Sequence, residues 1–320
     1  MKIGTVESGK GHILALIIDD KAFDLATCSK VLEGRLSNIS ALPDNMMDFL
    51  YLGLKAVDTA KEIKAFIEDK KEPSLLSPAY LGEVSQLKFK PPITNSRKLL
   101  CLAGNYLDHI EESGMIAVLK EETNPRVFLK PVSTGLIGPG DAIKIPKTWP
   151  AIDWEAELAV IIGKRGKYIP ESEALQYVAG YTCFNDVSGR NLCLNGKRKE
   201  RNGDWYYDWY HGKCMDTFAS LGPWMVTEDE FVGLPDLRMS LRVNGVTKQD
   251  ARTSDMLFRV HEIISFISQI MTLEPGDVIA TGTPAGVGVS KDVPEFLKPG
   301  DQVDVEIEGI GLLTNPVIAE

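Results

Sequence analysis

The residues with the clearest chemical potential lie in Asp153-Trp154-Glu155-Ala156-Glu157, which leads into the apolar run Leu158 to Ile162 and Gly163. That run reads as a buried strand. Side chains two apart on a strand point the same way, so Glu157, Glu155 and Asp153 share one face. Carboxylates on one face repel unless a hard divalent cation, an Arg or Lys, or a proton compensates them. The alternative is a plain exposed acidic face. Asp186 follows the apolar-aromatic run Val178 to Phe184, which places it near a strand end, either in a site or as a turn or cap residue. Two glutamates and one aspartate supply three oxygen ligands. An octahedral Mg²⁺ then keeps about three positions for water or substrate, the open half that makes a metal catalytic.

Two further groups could serve that chemistry. In Tyr106-Leu107-Asp108-His109-Ile110-Glu111-Glu112, His109 and Glu112 share a helix face. A carboxylate beside imidazole fixes its tautomer and suits it to activate water, although surface pairs of this kind also occur. Lys213 sits between Gly212 and an apolar stretch ending in Leu221-Gly222-Pro223-Trp224. Drawn into a pocket it would stabilise an enolate or oxyanion; otherwise it is a solvated lysine. Thr281-Gly282-Thr283-Pro284-Ala285-Gly286-Val287-Gly288 lacks both the dinucleotide fingerprint and the Lys-Ser/Thr of a phosphate loop. It reads as a tight turn, or as a platform on which backbone N–H groups, Gly282 among them, meet a substrate carboxylate.

The elements that must position these groups come from a chain of 320 residues, 44% hydrophobic and 25% charged, the mixture of an ordered globular protein. Residues 1–20 suggest a strand pair, 44–70 one or two amphipathic helices, and 84–89 a strand. Pro91 and Pro92 then mark a boundary. The expectation is a small N-terminal α+β domain over 1–90 and a larger domain over 91–320. Pro-Gly-Asp recurs at 139–141, 275–277 and 299–301, each time before an extended-looking run. Such turns imply a β-rich core of many short strands, a barrel or roll. Helices are expected from Pro170 to Tyr177 and from Ser254, as N-cap, to Met271.

Composition excludes several functions. A formal charge of −10 disfavours nucleic acid and anionic membrane as partners. No run suits a transmembrane helix or a signal peptide. Five cysteines without a C-x-x-C spacing read as reduced thiols of a cytoplasmic enzyme. Four histidines leave any metal to be held mainly by carboxylates.

Taken together, Cys101-Leu102-Ala103-Gly104-Asn105-Tyr106, Val127-Phe128-Leu129-Lys130-Pro131, Glu155-Ala156-Glu157-Leu158, Asn185-Asp186-Val187-Ser188, Leu221-Gly222-Pro223-Trp224, Leu273-Glu274-Pro275-Gly276-Asp277 and Thr281-Gly282-Thr283-Pro284 resemble the fumarylacetoacetate hydrolase family in order and spacing over most of 95–320. The resemblance implies an α+β fold: a mixed β-sandwich roll, barrel-like, with short helices and a smaller leading domain. It implies Glu155, Glu157 and Asp186 as ligands of Mg²⁺, with Mn²⁺ or Ca²⁺ as alternatives. It also implies His109 and Glu112 as a dyad on a lid, Lys213 as the oxyanion lysine, and Arg190, Thr283, Gly282 and Tyr106 as substrate contacts. A homodimer and a role in aromatic catabolism go with it. The expected reaction is hydrolysis of a C–C bond in an acylpyruvate or related β-diketo acid. The metal stabilises an enolate and the dyad activates water. Decarboxylation or keto–enol isomerisation of a 2-oxo acid at the same site is the alternative, as is a non-catalytic metal-binding protein. Cys193 replaces a usual glutamine, and Leu194 to Tyr210 is an added basic and aromatic segment. That segment is expected as a loop at the site mouth or a subunit contact.

Overall fold

In the computed structural model, residues 1–9, 11–37, 39–69, 74–116, 119–233 and 236–320 are described. The leading part forms β1 (Lys2–Ser8), β2 (Gly11–Ile18), β3 (Lys21–Asp24), α1 (Leu25–Leu32), α2 (Met46–Leu52), α3 (Leu54–Asp69) and β4 (Tyr80–Glu83). Asp24 caps α1 by accepting the N–H groups of Ala26 and Thr27, and Asn45 caps α2 through Asp48. There follow β5 (Phe89–Lys90), β6 (Leu99–Ala103), α4 (Leu107–Glu112), β7 (Arg126–Leu129), β8 (Leu136–Ile137), β9 (Ile143–Ile145), β10 (Ile152–Asp153), β11 (Ala156–Ile162), β12 (Val178–Asp186) and β13 (Ser188–Gly189). The chain ends with α5 (Asp204–Lys213), β14 (Ala219–Thr227), β15 (Arg238–Val243), β16 (Val246–Arg252), α6 (Val260–Ile270), β17 (Val278–Ala280), β18 (Gln302–Ile307) and β19 (Gly311–Ala319).

Among the described residues, one large mixed sheet runs β4-β3-β2-β1-β14-β12-β11-β17-β6-β7, and a second runs β16-β15-β18-β19-β9. The first strand joins the large sheet through the register Lys2↔Val226 and Ile3↔Met225. Strand β11 explains the layering. All seven of its residues are buried. Leu158, Val160 and Ile162 pack with Met239, Leu241, Val303 and Val305 of the second sheet and with Ile263 and Ile267 of α6. Ala159 and Ile161 pack on the opposite side with Phe49, Leu50 and Ile63 of the leading helices. Both faces of β11 are covered, so its sequence is continuously apolar instead of alternating.

The Pro-Gly-Asp turns need glycine: Gly140, Gly276 and Gly300 have φ of 77°, 84° and 96°. Two expected elements differ. The strand at 84–89 shortens to β5, because Val84–Gln86 coils into a 3₁₀ turn after the Val84 N–H donates to Asp20 O at 2.7 Å. The last helix starts after Arg259, not Ser254. Thr253–Asp255 is a separate turn, and the Tyr106↔Met256 bridge holds the chain extended before Glu262 accepts the Arg259 N–H. The segment Glu171–Tyr177 is helical as expected, but of the 3₁₀ type.

Candidate metal centre and active site

Strand register assembles the acidic cluster. In the β11–β12 ladder Ala156 faces Asn185 and Glu157 faces Phe184. Glu155 therefore lies directly across from Asp186, whose N–H donates to Glu155 O at 2.9 Å. Glu157 occupies the diagonal position on the same face, a spacing within side-chain reach. Glu155, Glu157 and Asp186 are buried, and ligand oxygens of all three lie within 4.8 Å of one another.

Cations hold these carboxylates. Lys213 Nζ, only 3% exposed, donates to Glu155 Oε2 and to Asp186 Oδ2, each at 2.7 Å. It also lies 5.3 Å from the Phe128 ring centroid and 5.9 Å from that of Trp209. Lys130 Nζ contacts Asp186 Oδ1 and donates to Val187 O at 2.9 Å. Arg190 bridges Asp153 Oδ2 at 2.9 Å and Glu155 Oε1 at 2.5 Å. Burial raises the Glu155 carboxyl, but Lys213 and Arg190 outweigh it and hold the group below its ordinary range. Burial lowers the Lys213 ammonium, and Asp186 and Glu155 more than restore it. Glu157 is different. Burial, then Asp186 and Glu155, push its carboxyl well above the ordinary value.

The glycine-rich loop donates its N–H groups to the protein's own acids. Gly282 N–H donates to Glu157 Oε2 at 2.8 Å and Gly286 N–H to Glu112 Oε2 at 2.9 Å. Gly288 and Val289 donate to Asp153 at 2.7 and 3.0 Å. The loop is thus a platform for carboxylates, but those of Glu157, Glu112 and Asp153, so the Gly282 N–H is already engaged. On α4, His109 Nδ1 lies 2.8 Å from Glu112 Oε1. Because an ionised Glu112 is acceptor-only, Nδ1 carries the hydrogen, and in the neutral imidazole the lone pair is then on Nε2.

A cavity of about 920 Å³ is lined by five of the expected residues, His109, Glu155, Arg190, Lys213 and Thr283, with Phe128, Trp205, Tyr206 and Trp209, while Glu157, Asp186 and Glu112 are not in its wall. Tyr106 is not brought there. It is fully buried in the core, and its hydroxyl has no hydrogen-bond partner among the described residues. The added segment is not simply a loop. Its aromatic part is helix α5, where Phe128 and Trp209 meet edge to face at 5.0 Å. Two arginines of its basic part are paired internally, Arg198 on Asp208 at 2.7 Å and Arg201 on Asp204. Cys193 lines the cavity.

Sequence reasoning gave no role to Lys130, Asp153 or Gln249. A lysine inside the apolar Val127-Phe128-Leu129 context was the available signal for Lys130. Gln249 carried none.

The donor set fits a hard divalent cation. It is all oxygen, its ligand atoms lie within 4.8 Å of one another, and Glu157 Oε1 is buried without a hydrogen-bond partner among the described residues. Residues 98–318 match the fumarylacetoacetate (FAA) hydrolase C-terminal family.

The chain belongs to the fumarylacetoacetate hydrolase family.

The mitochondrial oxaloacetate tautomerase Fahd2a of Rattus norvegicus is 38% identical over 279 residues, spanning 87% of this chain and 81% of that protein. The fumarylacetoacetate hydrolase of the psychrophile Exiguobacterium antarcticum superposes with a TM-score of 0.77 at 29% identity, covering 100% of both chains. Maleylpyruvate hydrolase from Sphingobium sp. SYK-6 does so with 0.72 at 27%, again over 100% of both. As a family member the chain is an enzyme of the hydrolase and isomerase group acting on a small molecule. No described helix is long and apolar enough to cross a membrane.

Proposed function

We propose that this protein interconverts the keto and enol forms of oxaloacetate or a similar 2-oxo diacid, using Mg²⁺ held by Glu155, Glu157 and Asp186. The observation that carries the reading is that Glu155 of the acidic cluster and His109 of the His109–Glu112 pair line one cavity. The similarity to oxaloacetate tautomerases moves the preferred reaction from hydrolysis to tautomerisation.

A divalent ion bound there supplies a Lewis acid that polarises the substrate carbonyl and offsets enolate charge. His109 Nε2 takes the proton from the carbon beside the carbonyl, the enolate oxygen takes a proton from solvent, and the imidazolium returns its proton to solvent, so that the base is regenerated. Glu112, itself held by the Gly286 N–H, keeps the imidazole in the receptive tautomer and stabilises it when charged. Lys213 uses two of its three N–H donors on Glu155 and Asp186, leaving one for a developing oxyanion. Arg190 orients Glu155 and is a positioning residue.

Hydrolysis of an acylpyruvate is the second reading. In it His109 Nε2 deprotonates water for attack on the remote carbonyl. The size of the cavity favours it, since about 920 Å³ is near the upper end of pockets for drug-sized ligands. We further propose that 91–320 carries the site, that 1–90 is a small leading domain, and that the protein is a homodimer.

The test measures decay of enol-oxaloacetate absorbance and cleavage of acetylpyruvate, each with Mg²⁺ and with chelator. Metal-dependent acceleration of enol decay, lost in His109→Ala, is expected. Acetylpyruvate cleavage without it would establish the second reading. Metal binding with no turnover of any 2-oxo acid would overturn both.

A further inference from the structure

Gln249 lies on β16 of the second sheet, is 1% exposed, and has no place in the cavity wall. Its amide is nonetheless wired to the site from behind. Gln249 Oε1 accepts the N–H of Ala156, the peptide between Glu155 and Glu157, at 2.8 Å. Its Nε2 donates to Thr283 Oγ1 and to Pro284 O, each at 2.8 Å.

The orientation of that amide follows from its partners. A backbone N–H can only donate and a carbonyl oxygen can only accept. Oxygen therefore faces Ala156 and nitrogen faces Pro284, with no freedom to flip. Both Nε2 hydrogens are then committed, one of them to Thr283 Oγ1. The threonine hydroxyl receives that bond and must send its own hydrogen elsewhere. Thr283 lines the cavity, and among the described residues no protein acceptor takes that hydrogen.

We propose that Gln249 is a positioning residue that makes the Thr283 hydroxyl a fixed donor into the cavity, where it selects an acceptor-only oxygen such as a substrate carboxylate. The inference rests on the 2-oxo acid reading above and adds which substrate group meets Thr283 and what aims it. A hydroxyl free to rotate would accept from a ligand donor as readily as it gives to an acceptor. The fixed one discriminates between them. The same glutamine ties the peptide between Glu155 and Glu157 to the 283–286 loop, so the donor is set at a constant place relative to the acidic cluster.

The test is a double-mutant cycle read by calorimetric binding of oxalate, a small dianion, to the Mg²⁺-loaded full chain. Enol-oxaloacetate turnover is read in parallel. Thr283→Val should weaken oxalate roughly tenfold or more, the scale of a hydrogen bond to a charged group, and Thr283→Ser should not. Gln249→Glu keeps the acceptor for Ala156 but replaces the donor by a carboxylate oxygen, which draws the Thr283 hydrogen to itself. It should weaken oxalate comparably and raise KM more than it lowers kcat. Once Gln249→Glu is present, Thr283→Val should cost little more. If Gln249→Glu does not fold, Gln249→Met removes the same donor and the cycle is read on it. Additive losses, or oxalate binding unchanged in either single variant, would overturn the inference while leaving the 2-oxo acid reading in place. A wild-type protein that neither binds oxalate nor turns over oxaloacetate would overturn both.

Discussion

Replacing Lys213 by Met tests the charge balance of the acidic cluster. Methionine keeps an unbranched apolar stem against Phe128 and Trp209 and removes only the ammonium. In the parent, Asp153, Glu155, Glu157 and Asp186 are set against Lys130, Arg190 and Lys213. Loss of Lys213 leaves Glu155 with Arg190 alone and Asp186 with Lys130 alone, both carboxylates buried. Removing one partner from a buried ion pair costs about 3–5 kcal/mol. At ~2 °C per kcal/mol for a chain of this size, the melting temperature in chelator should fall by roughly 6–10 °C. A divalent ion supplies compensating charge at the same oxygens. Mg²⁺ should therefore restore more stability to the variant than it adds to the parent, where saturation a hundredfold above Kd contributes about 2.7 kcal/mol. Thermal melts by circular dichroism in EDTA and in a Mg²⁺ series measure both effects. A variant that melts within ~2 °C of the parent in EDTA, or that gains no more from Mg²⁺, would refute the reasoning.

Three further outcomes are expected. In Gly286→Ala the new Cβ would sit 2.1 Å from Lys248 O on a backbone with φ of +103°. The loop must shift and release Glu112, costing about 2–4 kcal/mol of stability and roughly a hundredfold in turnover; parent-like kinetics would contradict this. His109→Ala should lower turnover by about 10²–10⁴-fold with little change in melting temperature, because the side chain lies at the cavity wall. For Glu157, burial and the neighbouring acids raise the folded-state pKa above the unfolded value. Its contribution to stability is therefore complete below the unfolded pKa and is lost as pH rises toward the folded one. In chelator, Glu157→Gln should be more stable than the parent at pH ~8 and lose that advantage toward pH ~5, as followed by urea unfolding. An advantage independent of pH would count against a raised Glu157.

The acidic triad of Glu155, Glu157 and Asp186 was legible because its signals are local. Alternate glutamates run into a continuously apolar strand, and an aspartate closes a second strand; the only non-local fact required was that the two strands are neighbours. The His109–Glu112 contact was legible because helical spacing alone brings the two side chains together. The glycine-rich loop was read half correctly. Its backbone does present donors, but their recipients, Glu157, Glu112 and Asp153, come from three distant parts of the chain. Helix α5 was hidden because Trp205 to His211 mixes aromatic, acidic and basic residues with no apolar stripe at helical spacing, and its ordering comes from contacts such as Trp209 on Phe128. Tyr106 was misplaced toward substrate because its neighbours along the chain reach the cavity while its own ring turns into the core. Lys130 and Gln249 depend wholly on strand pairing and on contact between the two sheets, which no single window of sequence reports.

The loop from Thr281 to Val289 fastens, with four backbone hydrogens, Glu157 of the acidic cluster, Glu112 beside His109, and Asp153, which anchors Arg190. An amino-acid change there disturbs three tasks at once, which leaves this segment little room to drift. Trp205 and Tyr206, which line the same cavity from a short helix, carry no such set of bonds and are 68% and 43% exposed. A change of ligand preference is therefore expected from substitutions on the aromatic side of the cavity, and general disruption from substitutions in the 281–289 loop.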